Sequence, residues 1–481
     1  MDAMKAPPNS TVEFTGLASD SRAVKPGYLF AALPGNKVNG AEFVADAVAR
    51  GAVVVLGRPD VAPAAAALGV RFIADENPRL ALAHIAARFF GAQPKTIATV
   101  TGTKGKSSIV AFVREIWTAL GKPAASLGTV GVVMPNGEFP LKHTTPDPIE
   151  IHRLLAQLKT DGIDHLALEA SSHGLDQFRL DGVKIAACAF TNLSRDHFDY
   201  HASVENYLHA KLRLFSEVAR DDALAVVNAD AEYAERFIAA ARKRGLTIMA
   251  VGERGEAIRM LSRQGRLDGQ TLTLRHDGHD YTVSLPLAGS FQASNALVSA
   301  ALVIGLGDDP AKVFAALEHL KGAPGRLEKV AIAASGAPIY VDYAHTDASL
   351  AEVLKAVRPH VTGKLHVIFG CGGDRDKGKR PLMGEAATKN ADSVIVTDDN
   401  PRTEDAATIR KEALAGAPGA REIGDRATAI HEGIAALKAG DILVIAGKGH
   451  ETGQIVGTET LPFSDRTVAI DAAISLGGRA A

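Results

Sequence analysis

The chain has 481 residues, of which 46% are hydrophobic and 22% charged, and its formal net charge is −2. This balance is that of an ordinary globular protein, and the length predicts about three domains. It excludes the broad cationic surface with which proteins bind nucleic acid or acidic membranes, so neither partner is expected.

Neither a membrane span nor a secretion signal is expected. No stretch of about 18 residues is continuously apolar, as a transmembrane helix requires. Residues 1–10 lack the apolar core of a signal peptide. Cys188 and Cys371 stand apart in apolar runs, not in a metal-type cluster. We therefore expect buried, reduced thiols and a cytoplasmic protein.

Residues 1–94 are predicted to form a small α/β domain. Runs at 27–33, 52–56 and 70–73 have the apolar character of strands, and 78–90 has the spacing of a helix with one apolar face. A Gly-Ala-Gln-Pro sequence at 91–94 then breaks the pattern. The polar turns at 18–22 and 33–40 are by themselves no more specific than the loops of any small domain.

Residues 95–324 are predicted to form a central domain with a mostly parallel sheet. Apolar runs at 97–100, 165–170, 186–192 and 224–228 alternate with helical segments. Such runs suit parallel strands that are covered by helices on both faces.

A glycine-rich loop at 101–108 joins the first of these strands to a helix. Gly102 and Gly105 free the backbone so that its N–H groups can converge on phosphate oxygens. Lys106 supplies a charge for the outer phosphates and Ser107 a hydroxyl for magnesium, and the helix N-terminus adds positive potential. Val100 stands where a full Walker A motif has its first glycine, so a chance turn is the alternative. The helical pattern that follows favours an ATP site.

Other polar side chains follow the central strands. Glu169 ends a predicted strand and is a candidate magnesium ligand, with a solvated glutamate as the alternative. His197 lies in a loop with two aspartates and a second histidine, which favours a metal or phosphate contact over a structural role. Lys211 has by itself the pattern of a solvated helical lysine.

Residues 325–481 are predicted to form a Rossmann-like α/β domain with strands at 339–342, 365–370, 393–397 and 442–446. In such sheets ligands bind beyond the carboxyl ends of the strands. Arg326, Asp342 and His345 lie near the predicted hinge at 322–325 and can face a nucleotide across the cleft. Alternatively, Asp342 and His345 only stabilise their turn.

Three loops of this domain follow successive predicted strands, at 370–381, 399–402 and 447–451. Arg375 and Arg402 offer guanidinium forks, which bind carboxylates bidentately. Asp399 and Glu451 can hold an ammonium group. The set suits an amino acid, and a group of surface salt bridges is the alternative.

These motifs resemble the Mur ligases, ATP-dependent enzymes that form amide bonds in peptidoglycan precursors. The resemblance extends from Asp20 to Glu451, and the central loop is similar to the family's TGTNGKT, with Lys104 in place of asparagine and Ser107 in place of threonine. Asp347-Ala348 stands where the family commonly has Pro-Asp. The resemblance implies a three-domain ligase of cell-wall biogenesis, and hence a part in cell shape, cell division and the cell cycle.

The resemblance also implies roles for individual residues, by ligand. The UDP-sugar would contact Ser19, Ser21, Asn36, Lys37 and Val38, and its lactyl-peptide part would contact Thr144, Thr145, Ser171, Gln177 and Arg179. ATP would contact Gly102, Thr103, Lys104, Gly105, Lys106, Ser107, Ser108, Asn295, Arg326, Asp342 and His345. Mg²⁺ would be held by Ser107, Glu169, His197 and Lys211, the last as a carbamate formed with carbon dioxide. Catalysis would depend on Lys106, Lys211, His197 and Arg326.

The loop Asp399-Asn400-Pro401-Arg402 resembles the signature of family members that add meso-diaminopimelate, with Arg375, Gly447 and Glu451 as further contacts. The implied acceptor is UDP-N-acetylmuramoyl-L-alanyl-D-glutamate, joined through an acyl phosphate with release of ADP and phosphate. A lysine-adding relative, folylpolyglutamate synthetase and an ATP-binding switch are the alternatives. The pattern demands no partner chain, so we expect a monomer.

Overall fold

The computed structural model describes residues 13–35, 39–194 and 200–481. Within these ranges the chain forms three helix-flanked sheets and a separate hairpin. The predicted α/β class, with a mostly parallel central sheet, is confirmed.

The first sheet is parallel, and its strands follow chain order. The elements are β1 (Gly16–Ala18), β2 (Tyr28–Ala32), α1 (Val44–Ala49), β3 (Val54–Gly57), α2 (Ala62–Ala67), β4 (Arg71–Ala74) and α3 (Pro78–Phe90). Side chains alternate between the two faces, so Phe30 packs on the α1 side and its neighbour Leu29 on the α3 side. The three predicted strands and the helix are confirmed to within two residues.

The second sheet is the largest. Its strands are β5 (Thr96–Thr101), β6 (Ala124–Gly128), β7 (Gly131–Met134), β8 (Gly137–Phe139), β9 (His165–Glu169), β10 (Ala187–Phe190), β11 (Leu224–Asn228), β12 (Thr247–Gly252), β13 (Ile258–Arg266), β14 (Gly269–His276) and β15 (His279–Leu285). The spatial order is β15-β14-β13-β12-β11-β10-β5-β9-β6-β7-β8. Neighbours from β13 to β6 pair in parallel, and the pairs toward each edge are antiparallel.

Helices cover both faces of this sheet. They are α4 (Lys106–Ala119), α5 (Pro148–Thr160), α6 (Ser172–Asp176), α7 (Val204–Arg213), α8 (Ala234–Lys243), α9 (Ser290–Gly305) and α10 (Pro310–Leu317). One apolar cluster joins the sheet to α4, α9 and α10 and includes the fully buried Trp117. A second lies under α5, α7 and α8 and includes Cys188. Burial on both faces explains the continuous apolar strands.

The third sheet contains the strands after which the polar loops of residues 325–481 were predicted. The elements are β16 (Glu328–Ile332), β17 (Pro338–Asp342), α11 (Asp347–Val357), β18 (Leu365–Phe369), α12 (Lys379–Asn390), β19 (Ser393–Val396), α13 (Ala406–Leu414), β20 (Arg421–Glu422), α14 (Arg426–Ala435), β21 (Ile442–Ala446), the hairpin β22 (Gly453–Val456) and β23 (Glu459–Pro462), α15 (Asp465–Ser475) and β24 (Arg479–Ala480). The order is β20-β19-β18-β21-β17-β16-β24. The carboxyl ends of β19, β18, β21 and β17 are therefore neighbours.

A buried histidine joins the second and third sheets. The Gly289 N–H donates to His360 Nε2 at 2.9 Å, and His360 Nδ1 lies 2.8 Å from the Arg266 carbonyl oxygen. Since Nε2 accepts, Nδ1 carries the proton and donates to Arg266. The contact holds the β13–β14 turn against the third sheet beside the linker at 318–327.

Cys188 and Cys371 are buried free thiols, as predicted. Burial raises the pKa of Cys371 to about 12 and raises the pKa of Cys188 as well. In the described part of the chain, no helix combines the length and the apolar character that crossing a bilayer would require.

Candidate active site

The glycine loop lies between the end of β5 and the first turn of α4. Gly102 and Gly105 have φ angles of 151° and 87°. A Cβ atom at Gly102 would lie 1.9 Å from Thr191 Oγ1, and one at Gly105 would lie 2.5 Å from Asn295 Oδ1. Both positions therefore require glycine, and the loop opens at the helix N-terminus, where backbone N–H groups favour phosphate.

Two lysines converge on one carbonyl of this loop. Lys106 Nζ donates to the carbonyl oxygens of Gly102 and Thr103, each at 2.9 Å. Lys211 Nζ donates to the same Gly102 oxygen at 2.8 Å and lies 4.4 Å from the centroid of the Tyr207 ring. The Lys211 residue is only 1% exposed. The structure therefore places Lys211 against the glycine loop, unlike the solvated lysine that its local pattern suggested.

Glu169 lies at the carboxyl end of β9, next to β5, and is 1% exposed. Its Oε1 accepts the Thr129 N–H at 2.9 Å and its Oε2 the Thr129 hydroxyl at 3.1 Å. The hydroxyl oxygens of Thr129 and Thr144 are 3.0 Å apart. A cavity of about 210 Å³ is lined by both Ser107 and Glu169.

The Ser107 hydroxyl and the Glu169 carboxylate are hard oxygen donors of the kind that Mg²⁺ prefers, and Mg²⁺ completes its shell with water and substrate phosphates. The donor set therefore fits the predicted ion. Within 13–35, 39–194 and 200–481, no three His, Cys, Asp or Glu side chains are grouped to hold a metal. The predicted ligand His197 lies outside the described residues.

The predicted lactyl-peptide contacts form one network around Glu169. Arg179 Nη1 donates to the Thr145 carbonyl at 2.6 Å, and its Nη2 donates to Gln177 Oε1 at 2.8 Å. Thr145 Oγ1 donates to the Glu169 carbonyl at 3.0 Å and accepts the Ser171 N–H at 3.0 Å. These residues therefore border the glycine loop from the β9 side.

Two of the predicted UDP-sugar contacts, Ser19 and Ser21, lie at the first sheet. Ser21 is buried and Ser19 is exposed. Hydrogen bonds from Ser21 and Arg50 lower the pKa of Asp46. The predicted contacts Asn36, Lys37 and Val38 lie outside the described residues.

A chain of amides links the loop to the start of the third sheet. Asn295 Nδ2 donates to Gln292 Oε1 at 3.1 Å, and Gln292 Nε2 donates to the Arg326 carbonyl at 3.0 Å. The guanidinium carbon of Arg326 lies 4.8 Å from the centroid of the Tyr343 ring. Its buried Nε has no hydrogen-bond partner among the described residues, so this cation has a donor available for an anionic ligand.

Asp342 stabilises the turn after β17. Its Oδ2 accepts the Leu327 N–H and its Oδ1 the Ala344 N–H, both at 2.7 Å, and burial raises its pKa. His345 Nδ1 lies 2.9 Å from the Tyr343 carbonyl oxygen. The local role that the sequence left open for Asp342 is therefore present.

Helix α11 begins directly after this turn. Thr346 and Ser349 form a reciprocal capping box. Asp347 occupies the first helical position, where the family pattern has proline. A carboxylate is favourable there because the helix dipole is positive at this end.

An ion pair connects the glycine loop to α11. Lys104 Nζ contacts Glu352 Oε2, and the two side chains are 46% and 47% exposed. The Lys104 N–H donates to Asn192 Oδ1 at 3.0 Å. The residue that replaces the family's usual asparagine thus bridges the second and third sheets.

Arg375 and Arg402 flank Gly372 at the ends of β18 and β19. Arg402 Nη1 donates to the Gly373 carbonyl at 2.8 Å. A Cβ atom at Gly372 would lie 2.9 Å from Arg402 Nη1 and 3.9 Å from Arg375 Cγ. Nearby Arg380 is paired with two glutamates, whereas neither Arg375 nor Arg402 forms an ion pair within the described residues.

The β22–β23 hairpin holds Arg402 in place. The Arg402 N–H donates to the Ile455 carbonyl at 3.0 Å, and its own carbonyl accepts the Gly457 N–H at 2.7 Å. Arg402 has a φ of 52°, a left-handed conformation that is uncommon outside glycine. The sequence did not predict this hairpin.

The remaining residues predicted to contact the amino acid lie beside the two arginines. Asn400 Nδ2 donates to Glu451 Oε2 at 3.1 Å. Asp399 is buried, and its carbonyl accepts Gln454 Nε2 at 2.7 Å. A Cβ atom at Gly447 would lie 2.8 Å from Asp399 Oδ2. The predicted convergence of the three strand-end loops is therefore present.

Sequence reasoning missed a buried ion pair beneath these loops. Arg426 donates to both carboxylate oxygens of Asp465, each at 2.7 Å, and both side chains are fully buried. Arg426 also donates to the carbonyls of Ala446 at 3.0 Å and Asp398 at 3.3 Å. It thereby ties the ends of β21 and β19 together, and its distance in sequence from Asp465 left no local signal.

Family models match all three parts of the chain. Residues 13–90 match the Mur ligase family catalytic domain, 100–303 the Mur ligase middle domain, and 325–449 the Mur ligase glutamate ligase domain.

Curated relatives match almost the full length. A Bradyrhizobium diazoefficiens protein named UDP-N-acetylmuramoyl-L-alanyl-D-glutamate–2,6-diaminopimelate ligase is 56% identical over 480 residues, covering 98% of this chain and 97% of the relative. A Brucella melitensis protein of the same name is 52% identical over 454 residues, covering 94% and 93%.

Solved structures share the fold. One with the same enzyme name in its description is 34% identical, has a TM-score of 0.75 and covers 96% of this chain and 95% of its own. A folylpolyglutamate synthase from Mycobacterium tuberculosis is 19% identical, with a TM-score of 0.60 and coverage of 77% and 92%. At that identity the likeness concerns the fold alone.

Proposed function

This chain belongs to the Mur ligase family, and we propose that it joins meso-diaminopimelate to UDP-N-acetylmuramoyl-L-alanyl-D-glutamate with conversion of ATP to ADP and phosphate. Its 56% identical relative carries the corresponding name. The structural observation that carries the choice of amino acid is the pair Arg375 and Arg402. Both flank Gly372 at adjacent strand ends and lack an ion-pair partner among the described residues.

Diaminopimelate is lysine with a second carboxylate. A guanidinium fork binds a carboxylate through two charge-assisted hydrogen bonds. Lysine would leave Arg402 without an acid group and would bring its own ammonium toward that cation. A cation that the bound substrate leaves unpaired and shields from water disfavours the wrong substrate by several kcal/mol.

In the first step, the free side-chain carboxylate of the D-glutamyl residue attacks the γ-phosphorus of ATP. The new oxygen–phosphorus bond forms as the bond to ADP breaks, which gives an acyl phosphate. Lys106, the loop N–H groups and Arg326 stabilise the charge that spreads over the phosphoryl oxygens. Bound Mg²⁺ would be held by Ser107 and Glu169 and would supply further charge neutralisation.

In the second step, an amine of diaminopimelate attacks the acyl carbon. The amine loses a proton, the carbon–oxygen bond to phosphate breaks, and an amide and free phosphate result. Arg375, the loop from Asp399 to Arg402, and Glu451 hold the amino acid for this attack. Approach of the third sheet excludes water, which would otherwise hydrolyse the acyl phosphate.

The remaining assignments belong to this proposal. We take residues 1–94, 95–324 and 325–481 as the domains for the UDP-sugar, ATP and the amino acid. Lys211, as a carbamate, and His197 would be further ligands of Mg²⁺. Because ATP and a UDP-linked sugar are cytoplasmic compounds, we place the reaction in the cytoplasm. We also propose that the enzyme acts as a monomer.

Phosphate release tests the proposal. We expect release to require ATP, the UDP-linked dipeptide and diaminopimelate together, because the acyl phosphate needs an acceptor carboxylate and an amine to turn over. The measurement is a coupled phosphate assay with a panel of amino acids, including L-lysine and L-glutamate, and mass spectrometry of the product.

The assay separates the alternatives. Preference for lysine would indicate a lysine-adding ligase, and turnover with a folate and glutamate would indicate a folylpolyglutamate synthetase. Phosphate release that is independent of any amino acid would indicate an ATP-driven switch. Each of these outcomes would contradict the proposed function.

The bridge from Lys104 to Glu352 gives a smaller prediction. Lys104→Asn is expected to raise the KM for diaminopimelate at most about five-fold, because an exposed ion pair contributes no more than about 1 kcal/mol. Glu352→Gln should raise this KM by the same factor, and the double variant should show no additional rise in KM. Salt should abolish the difference from wild type, since exposed charges are screened. A change that is independent of salt would contradict the ion-pair explanation.

A further inference from the structure

Lys448 is a buried cation next to the proposed amino-acid site. Its side chain is fully buried, in the loop that follows β21. Its Nζ donates to Asn400 Oδ1 at 2.9 Å and to Glu451 Oε2 at 3.2 Å. Both acceptors belong to the proposed substrate contacts, whereas Lys448 itself cannot reach solvent.

These contacts determine the orientation of the Asn400 amide. Asn400 Oδ1 accepts from Lys448 Nζ and also from the Ile455 N–H at 2.9 Å. Two donors on one side exclude the flipped amide, which would place an NH₂ group against them. Asn400 Nδ2 must therefore point to Glu451 Oε2, where it donates at 3.1 Å.

The same network orients Glu451. Lys448 and Asn400 both donate to Oε2, and Oε1 has no hydrogen bond among the described residues. The Glu451 side chain is 35% exposed, so it reaches from the buried lysine to the surface of the cleft. Lys448 and Asn400 thus hold Glu451 Oε2 in place, while Glu451 Oε1 is available to an ammonium group.

We propose that Lys448 is a positioning residue of the amino-acid site, which holds Asn400 and Glu451 so that Glu451 Oε1 meets an ammonium group of the incoming diamino acid. This inference rests on the proposed function for the location of the amino acid. Loss of one partner of a buried ion pair lowers stability as well, so a role in the fold alone would lower the melting temperature and raise the KM of every substrate alike.

The test compares Lys448→Met with wild type in steady-state kinetics, using the amino acid that the wild-type enzyme accepts in the panel. We expect the KM for that amino acid to rise about 10- to 100-fold, the range for loss of a charged hydrogen-bond network. We expect kcat within about three-fold and the KM for ATP within about two-fold. Lys389→Met, at an exposed lysine paired with Glu385, is the matched control and should leave all constants unchanged.

A double-mutant cycle with Glu451→Gln tests whether Lys448 affects the KM for the amino acid through Glu451. If Lys448 acts through Glu451, then Lys448→Met in the Glu451→Gln background should add less than about a three-fold change in KM. Lys448→Gln retains an N–H donor, so its KM should lie between those of wild type and Lys448→Met. It also replaces the methionine variant in the cycle if that variant does not fold.

Three results would overturn the inference. They are an unchanged amino-acid KM in Lys448→Met, an equal rise in the KM of all three substrates with a lower melting temperature, and multiplicative effects in the cycle. A wild-type enzyme that prefers an amino acid other than diaminopimelate would contradict the proposed function instead, and the Lys448 comparison would then be made with that amino acid.

Discussion

Lys211→Ala is expected to lower kcat by about 10³-fold or more, which corresponds to about 4 kcal/mol of lost transition-state stabilisation. Lys211 is buried, and its Nζ donates at 2.8 Å to the Gly102 carbonyl, which also accepts a hydrogen bond from Lys106 Nζ. Alanine removes this contact with the glycine loop and also the amine that would form the carbamate. The measurement is phosphate release at saturating substrates, with circular dichroism to verify folding.

Lys211→Arg distinguishes the two possible roles of the amine. Arginine keeps a cation and several N–H donors but does not form the carbamate, so the proposed role predicts that it is as inactive as alanine. A short added carboxylate, such as acetate, should partly restore Lys211→Ala. Near-normal activity of Lys211→Arg would contradict the carbamate, and a fully active Lys211→Ala would exclude any essential role. Lys243→Ala, at an exposed lysine on α8, should be neutral.

Arg402→Ala is expected to lower kcat/KM for diaminopimelate by about 10²- to 10³-fold, because it leaves a substrate carboxylate without its charged partner. The KM for ATP should stay within about two-fold, since Arg402 lies in the loop after β19 and hydrogen-bonds to Gly373 and the β22–β23 hairpin. Steady-state kinetics with each substrate varied in turn provides the measurement.

Two comparisons sharpen the Arg402 prediction. Arg402→Lys keeps the charge but loses the fork, so its kcat/KM should lie between those of wild type and Arg402→Ala. The preference for diaminopimelate over lysine should narrow in both variants. Arg421→Ala, at an exposed arginine paired with Glu432, should change nothing. Equal losses for ATP and diaminopimelate would contradict the assigned role of Arg402.

The central strands and the glycine loop could be predicted because their signals are local. The apolar run of β5, the glycines that follow it and the helical spacing of α4 lie within about 25 consecutive residues. The antiparallel extension from β13 to β15 was not predicted. Its strands are largely exposed and polar on one side, which weakens the apolar pattern on which the prediction relied.

The candidate site was predicted where residue type alone indicates chemistry, as for Arg402 and Glu169. Residue type alone did not indicate a site role where the contacts are with residues distant in sequence, and for Lys211 only the family resemblance did. Lys211 contacts Gly102 across 109 positions, and Lys448 contacts Asn400 across 48. Lys211 is buried although its local pattern is that of a solvated lysine, and Lys448 is buried as well.

The sequence by itself therefore determined the α/β class, the phosphate loop and the residue types that can bind an amino acid, because these follow from periodicity, backbone freedom and side-chain chemistry over short spans. Only the tertiary structure decided which groups meet. The strand order β19-β18-β21-β17 brings four separate loops to one edge. Lys448 is buried beneath these loops, and Lys211 is buried against the glycine loop of the second sheet. Such pairings depend on sheet order and packing, which cannot be predicted from the residue pattern of a short segment.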